Sequence, residues 1–209
     1  MLNSEKLILV ELHKTGSSRL KKFLSDVLGG ESSGKLAVYS DELAAQGKPI
    51  VGVVCDPLSF YLDQWRAGCA GKGEIYKRLT DDKRWDLMRS RQTNRNAKVA
   101  KDATKAEARA ALLTWNAEYA KTHWYADANN ANAFREWLCS LLAVRGTSIL
   151  IDHGYQVSPV RKLAGYMTYQ YCVKFIRNAE NMEHSVNTLD ALRALNARDA
   201  ITTHFVRVE

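Results

Sequence analysis

The hexapeptide HKTGSS at residues 13–18 combines side chains that proteins use to hold a tetrahedral anion. Lys14 supplies a mobile positive charge, and Gly16 lets the backbone approach a ligand closely. Three hydroxyl side chains can donate further hydrogen bonds, namely those of Thr15, Ser17 and Ser18. These residue types predict a site for a phosphate or a sulfate ester. The alternative is an ordinary β–α turn in which the hydroxyl groups cap the following helix.

The position of the hexapeptide in the chain supports an anion site. It follows a nearly continuous apolar run at 7–12, which is typical of a strand buried on both faces. Large apolar residues then recur at helical spacing up to residue 28. A helix start offers unpaired N–H groups at the sheet edge where ligands bind in open α/β folds. A nearby GGESSGKL at 29–36 follows a helix and has leucine after its lysine, so it predicts a helix stop and a loop.

The hexapeptide at 13–18 forms a corner between a predicted strand and a predicted helix, and the elements around this corner alternate between strand and helix. Further strands are predicted at 35–39 and 49–55, and Asp56 and Pro57 are typical of the first residues of a helix. This order indicates an α/β fold with a parallel, doubly wound sheet. Later predictions are a helix at 134–142, strands at 147–151 and 171–176, a last helix near 182–195, and a tail at 201–209 that is either a strand or a loose end.

Residues 1–209 are predicted to form a single domain with a charged, mostly helical insertion at about 71–111. The formal net charge is +7, which favours anionic partners such as nucleotides, although a solvated basic surface has the same composition. The basic stretch at 89–109 lacks interleaved aromatic residues, which disfavours nucleic acid as the partner. The four cysteines have no CxxC spacing, so neither a metal site nor a redox pair is predicted. Scattered cysteines and a short N-terminal apolar run favour a cytoplasmic protein outside the membrane.

The corner and later segments resemble the sulfotransferases that use 3′-phosphoadenosine 5′-phosphosulfate (PAPS). HKTGSSRL is similar to the family loop PKTGT or PKSGTTW, with His13 in place of the proline. VGVVCDPLSFYLDQW at 51–65 resembles the strand and helix that carry the second family signature, and the segments at 134–142 and 165–186 resemble later parts of bacterial members. The resemblance implies a three-layer α/β/α architecture with a parallel sheet, as in the P-loop NTPase-like sulfotransferase fold.

The resemblance also implies roles for individual residues. Lys14 would contact the bridging oxygen and the sulfuryl group, where charge develops as the S–O bond breaks. The four residues that would bind the 5′-phosphosulfate are Thr15, Gly16, Ser17 and Ser18. The family arginine that grips the 3′-phosphate falls on Cys55, and the serine that shares this task falls on Asp63. Because a thiol and a carboxylate replace cationic and hydroxyl donors, attraction for the 3′-phosphate should turn into repulsion unless Arg66 or another basic residue compensates.

Transfer to a hydroxyl group also needs a general base. The candidates are Glu42, His13 and Asp41, with His153 as a further alternative. Many bacterial relatives carry GKH before the second strand, whereas this chain has Leu36 in place of the histidine. Structural roles remain open for all of these residues: Glu42 as helix surface, His13 as a loop residue and Asp41 as a helix cap.

Several functions therefore remain open. The leading hypothesis is a transferase that moves a sulfuryl group from PAPS, without a metal, to a hydroxyl or amine of a small molecule or glycan. The alternative is a non-catalytic relative with a decayed donor site that serves as a binding or partner protein. A third alternative is a P-loop-like enzyme for a nucleotide without a 3′-phosphate. The sequence leaves the oligomeric state open, including a homo-oligomer.

Overall fold

A computed structural model of the chain describes residues 1–12, 15–33, 41–87, 115–143, 154–155, 158–177 and 186–208. The chain divides into two units, one formed by Met1–Phe60 together with Ser158–Glu209 and the other by Tyr61–Val157. The insertion predicted at about 71–111 begins within the second unit, and its residues 88–111 lie outside the described ranges.

The first unit contains a mixed sheet whose described strands run in the order β3-β1-β2-β4-β5. The strands are β1 Leu2–Asn3, β2 Ile8–Glu11, β3 Glu31–Ser32, β4 Ile50–Cys55 and β5 His204–Val208. The β2, β4 and β5 strands are parallel, while β1 is antiparallel to both of its neighbours. The α/β class predicted from the sequence is therefore confirmed, but the described sheet is mixed rather than entirely parallel.

A tight turn explains the antiparallel pairing of β1 with β2. The Ser4 backbone N–H donates to the Leu7 carbonyl at 3.0 Å, and the Ser4 hydroxyl donates to the same oxygen at 2.9 Å. Such a short connection can join antiparallel strands only, because a parallel pair needs a crossover of a dozen or more residues. The strands β1 and β3 were not predicted from the sequence, because each is two residues long and too short to show periodicity.

Helices flank the sheet in the first unit and form the described part of the second unit. The helices are α1 Ser17–Leu28, α2 Asp41–Ala44, α3 Pro57–Cys69, α4 Glu74–Leu79, α5 Ala117–Tyr119, a π-helix Ala120–Trp124, α6 Ala131–Ala143, α7 Val160–Leu163, α8 Tyr166–Phe175 and α9 Leu189–Asp199. Residues 82–87 are also helical. The helices predicted after residue 18, after Asp56 and around 134–142 are confirmed, and the last helix begins at Leu189, later than predicted.

Alternate residues of β2 build two cores on opposite faces of the sheet. On one face, Ile8, Val10 and Leu12 pack with Phe175 of α8. On the other face, Leu9 packs with a cluster that includes Leu20 and Leu24 of α1. Because β2 is buried on both sides, it reads as a continuous apolar run rather than as an alternating strand.

Residues 171–176, predicted as a strand, belong to a helix up to Phe175. Met167, Tyr171 and Phe175 recur every four residues and face the same core, which is the spacing of one helical face. The strand prediction at this place is therefore wrong, whereas the tail is confirmed as β5, the strand alternative. The strands predicted at 35–39 and 147–151 lie outside the described residues.

Large aromatic side chains dominate the described core of the second unit. The Trp65 indole N–H donates to the Trp124 carbonyl at 2.6 Å, and the Trp137 N–H donates to the Tyr125 hydroxyl at 2.7 Å. Burial is the main reason why the pKa of Tyr125 is raised. These aromatic groups bury large areas and still satisfy most of their polar atoms, which is how a helical unit of this size gains a core.

Candidate functional site

The corner between β2 and α1 joins a buried strand to a helix, in the order that the sequence predicted. The β2 strand ends at Glu11, and α1 begins at Ser17. Gly16 stands at the N-cap with φ 70° and ψ 3°, a left-handed conformation that glycine adopts without steric cost. Because the N-cap residue has no side chain, it does not cap the first N–H groups of α1. The Arg19 N–H donates to the Gly16 carbonyl at 3.4 Å, and the N–H groups of Ser17 and Ser18 are donors from which an anion could accept hydrogen bonds.

The adjacent parallel strand brings a second predicted residue to the same edge of the sheet. Glu11 is in register with Val53 of β4, so Cys55, the last residue of β4, extends beyond it in the direction of the corner. Cys55 is half-buried. Asp56 follows it and accepts hydrogen bonds from the N–H groups of Leu58 at 2.8 Å and Ser59 at 3.1 Å. The N-cap role predicted for Asp56 is confirmed.

Two of the corner hydroxyl groups donate to acceptors within the protein. The Thr15 hydroxyl donates to the Leu12 carbonyl at 2.8 Å, and the Ser17 hydroxyl donates to Glu11 Oε1 at 3.1 Å. Both side chains are buried, whereas Ser18 is exposed. A hydroxyl group has a single proton to donate. In this arrangement Thr15 and Ser17 therefore hold the loop in shape, and Ser18 faces solvent.

Glu11 is the charged residue at the base of the corner. Its carboxylate accepts hydrogen bonds from Lys21 Nζ and from the amino group of Met1, both at 2.9 Å, although its side chain is only 5% exposed. Burial raises the pKa of Glu11, but the hydrogen bonds and positive charges of these two partners outweigh burial and keep it below 4.5. Glu11 is therefore a buried carboxylate at neutral pH.

The partners of Glu11 were not predicted from the sequence. Ser17 and Lys21 are four residues apart on α1, so they share one helix face, and both contact Glu11. The available signal was the single carboxylate inside the apolar run at 7–12, because a buried charge needs partners. Lys174 of α8 is also buried; burial lowers its pKa and the charge of Glu11 opposes that change.

The remaining predicted site residues fall in several places. His13, Lys14, Leu36 and His153 lie outside the described residues. Glu42 is exposed on α2, whose Leu43 packs on the sheet face opposite to α1. Asp41 is the first residue of α2. Asp63 is exposed on α3, in the part of that helix that belongs to the second unit.

Within the described residues, histidine, cysteine, aspartate and glutamate side chains do not gather in groups of three that could hold a metal ion. Every helix described here is too short or too polar to cross a membrane.

Comparisons of the chain with protein-family models, with curated proteins and with solved structures gave no match. The function is therefore inferred from the chemistry of the β2–α1 corner and from the sequence resemblance.

Proposed function

We propose that the chain is a sulfotransferase-like protein that binds the phosphosulfate of PAPS at the corner between β2 and α1. The observation that carries this proposal is the uncapped start of α1. Gly16 adopts a left-handed conformation in the segment that joins the buried strand β2 to α1, and its lack of a side chain leaves the start of the helix without a side-chain cap. A helix N-terminus at the carboxyl edge of parallel strands favours a phosphate or sulfate group.

The adjacent residues fit an anionic nucleotide in part. Lys14, by resemblance, supplies the cation that neutralises charge on the leaving phosphate, and the exposed Ser18 side chain is oriented toward solvent. The corner needs no metal for this transfer. The acceptor would be a hydroxyl or amine of a small molecule or glycan, with Glu42, His13 or Asp41 as the base that takes its proton.

Calorimetry with 3′-phosphoadenosine 5′-phosphate, the product nucleotide, tests this proposal. The wild-type protein is expected to bind it, and Lys14→Ala is expected to weaken binding by about tenfold to a hundredfold because one charge-assisted contact to phosphate is lost. Lys22→Ala is the matched control, since Lys22 is an exposed lysine of α1 and should leave affinity unchanged within about twofold. An absence of binding by wild type at millimolar nucleotide would count against the proposal.

A second candidate function is a non-catalytic relative that keeps the fold and binds a partner. Two observations favour it. Cys55 occupies the end of β4 where the resemblance places an arginine, and the Thr15 and Ser17 hydroxyl groups donate to protein acceptors rather than outward. The missing arginine and the inward hydroxyl groups would each reduce affinity for a nucleotide with a 3′-phosphate.

The double variant Cys55→Arg with Asp63→Ser separates the two candidates. If the donor site has decayed, restoring the residues implied by the resemblance should improve binding of 3′-phosphoadenosine 5′-phosphate by about a hundredfold, because a repulsive charge is removed and a bidentate donor is gained. If wild type already binds tightly and the double variant binds equally well, the non-catalytic candidate is wrong. Cys139→Arg, at an exposed cysteine of α6, controls for the added positive charge.

A further inference from the structure

The buried carboxylate of Glu11 lies beside the site that the proposed function assigns to an anion. It is the last residue of β2, directly before the segment that leads into α1. Two side chains of α1 turn inward to it, the hydroxyl of Ser17 at 3.1 Å and the ammonium of Lys21 at 2.9 Å. The groups on this face of α1 that could meet a bound anion therefore already contact a carboxylate of the chain itself.

Carboxylate and phosphate oxygens compete for the same donors. Both accept charge-assisted hydrogen bonds from ammonium groups and hydrogen bonds from hydroxyl groups. Lys21 is only 19% exposed, so its pair with Glu11 is screened by water less than a surface pair would be. The positive charge that Lys21 brings to the first turns of α1 is thus neutralised inside the protein.

We propose that Glu11 is an internal counter-anion that limits the affinity of the β2–α1 corner for phosphate-type anions. This inference rests on the proposed function for the location of the anion, but it concerns the strength of binding. Glu11 pairs with Lys21 and with the Met1 amino group, and it holds the Ser17 hydroxyl inward. An anion at the corner therefore meets fewer free donors and less positive charge than these two ammonium groups would supply without the carboxylate. Glu11 therefore acts through other residues and is a positioning residue.

Binding of inorganic pyrophosphate, measured by calorimetry, tests this inference without adenosine or a 3′-phosphate. Glu11→Gln keeps the shape of the side chain and removes its charge, so it should bind pyrophosphate about tenfold more tightly than wild type. Asp26→Asn is the matched control: it removes the same charge from an exposed position on α1, about 14 Å along the helix from Ser17, and should leave affinity nearly unchanged. Circular dichroism confirms that each variant is folded.

Lys21→Gln supplies a second variant that leaves Glu11 in place. It should weaken pyrophosphate binding several-fold, because the carboxylate loses one of its two cations and keeps only the Met1 amino group. Glu11→Gln with Lys21→Gln should return to within about twofold of wild type, because one negative and one positive charge are removed together. Equal affinity of wild type and folded Glu11→Gln, or unchanged affinity in Lys21→Gln, would overturn the inference. Equal tightening by Asp26→Asn, or no pyrophosphate binding by any variant, would also overturn it.

The two proposals fail separately. If wild type does not bind 3′-phosphoadenosine 5′-phosphate but Glu11→Gln binds pyrophosphate, the proposed function fails while the role of Glu11 stands. If wild type binds the nucleotide and Glu11→Gln changes nothing, only the role of Glu11 is rejected.

Discussion

Glu11→Ala is expected to lower the free energy of unfolding by about 3–5 kcal/mol, because it leaves two buried or half-buried cations without their carboxylate. The Lys21 ammonium and the Met1 amino group each lie 2.9 Å from Glu11, in a site from which solvent is largely excluded. The Ser17 hydroxyl also loses its acceptor. Glu11→Ala removes all three interactions at once, because one carboxylate accepts from all three donors.

Chemical denaturation followed by far-ultraviolet circular dichroism measures this change. All five tryptophans lie in the second unit, so their fluorescence reports on that unit while Glu11 belongs to the first. Glu74→Ala is the control, because Glu74 also forms an ion pair at 2.8 Å but its side chain is 58% exposed, and the loss should stay below about 1 kcal/mol. Similar losses for both variants would show that the Glu11 cluster contributes no more than a surface pair.

The same contacts predict how stability depends on pH. The pKa of Glu11 is lower in the folded protein than its ordinary value of 4.5, so the unfolded chain binds this proton more readily. The contribution of Glu11 is therefore fully present above pH 4.5 and is lost as the pH falls through the folded pKa. The difference in unfolding free energy between wild type and Glu11→Ala should shrink over that acidic range, until only the loss of side-chain packing remains. A difference that is independent of pH would contradict a stabilising role of these ion pairs.

Gly30→Ala is expected to lower the free energy of unfolding by about 3 kcal/mol or more. Gly30 has φ +110°, a backbone conformation that residues with a Cβ rarely adopt. A Cβ at this position would also collide with the Asn3 carbonyl oxygen and lie 2.7 Å from the Ser4 Cα. Asn3 belongs to β1, and Ser4 belongs to the turn that follows it. Because both atoms that the added Cβ would meet are backbone atoms, they cannot rotate away as the end of a flexible side chain could.

The preceding residue offers a matched control for Gly30. Gly29 has φ +65°, and a Cβ there would meet nothing within 4 Å, so Gly29→Ala should cost only about 1 kcal/mol. Thermal or denaturant unfolding, followed by circular dichroism, should rank wild type above Gly29→Ala and Gly29→Ala far above Gly30→Ala. Equal losses of unfolding free energy at the two positions would mean that the backbone conformation alone sets the cost and that the Asn3 and Ser4 backbone can move away from the added Cβ.

The sequence by itself determined the local features of the corner. A continuous apolar run predicted the buried strand β2, and helical periodicity after residue 18 predicted α1. Asp56 and Pro57 predicted the start of α3, because capping depends on neighbouring residues in the chain. Such features are encoded within one turn or one strand, so no distant contact is needed to predict them.

The helix at 166–175 and the contacts of the buried side chains at the corner were decided only by the tertiary structure. The run at 171–176 has the composition of a strand, yet packing of Met167, Tyr171 and Phe175 against the sheet makes it a helix, since burial outweighs intrinsic propensity. The partners of Glu11 are the Met1 amino group, which precedes β1, and two side chains of α1. The hydroxyl groups of Thr15 and Ser17 turn to acceptors that no spacing rule reveals. A buried charge selects whichever donors the fold brings within reach, and that choice exists only once strand and helix have packed.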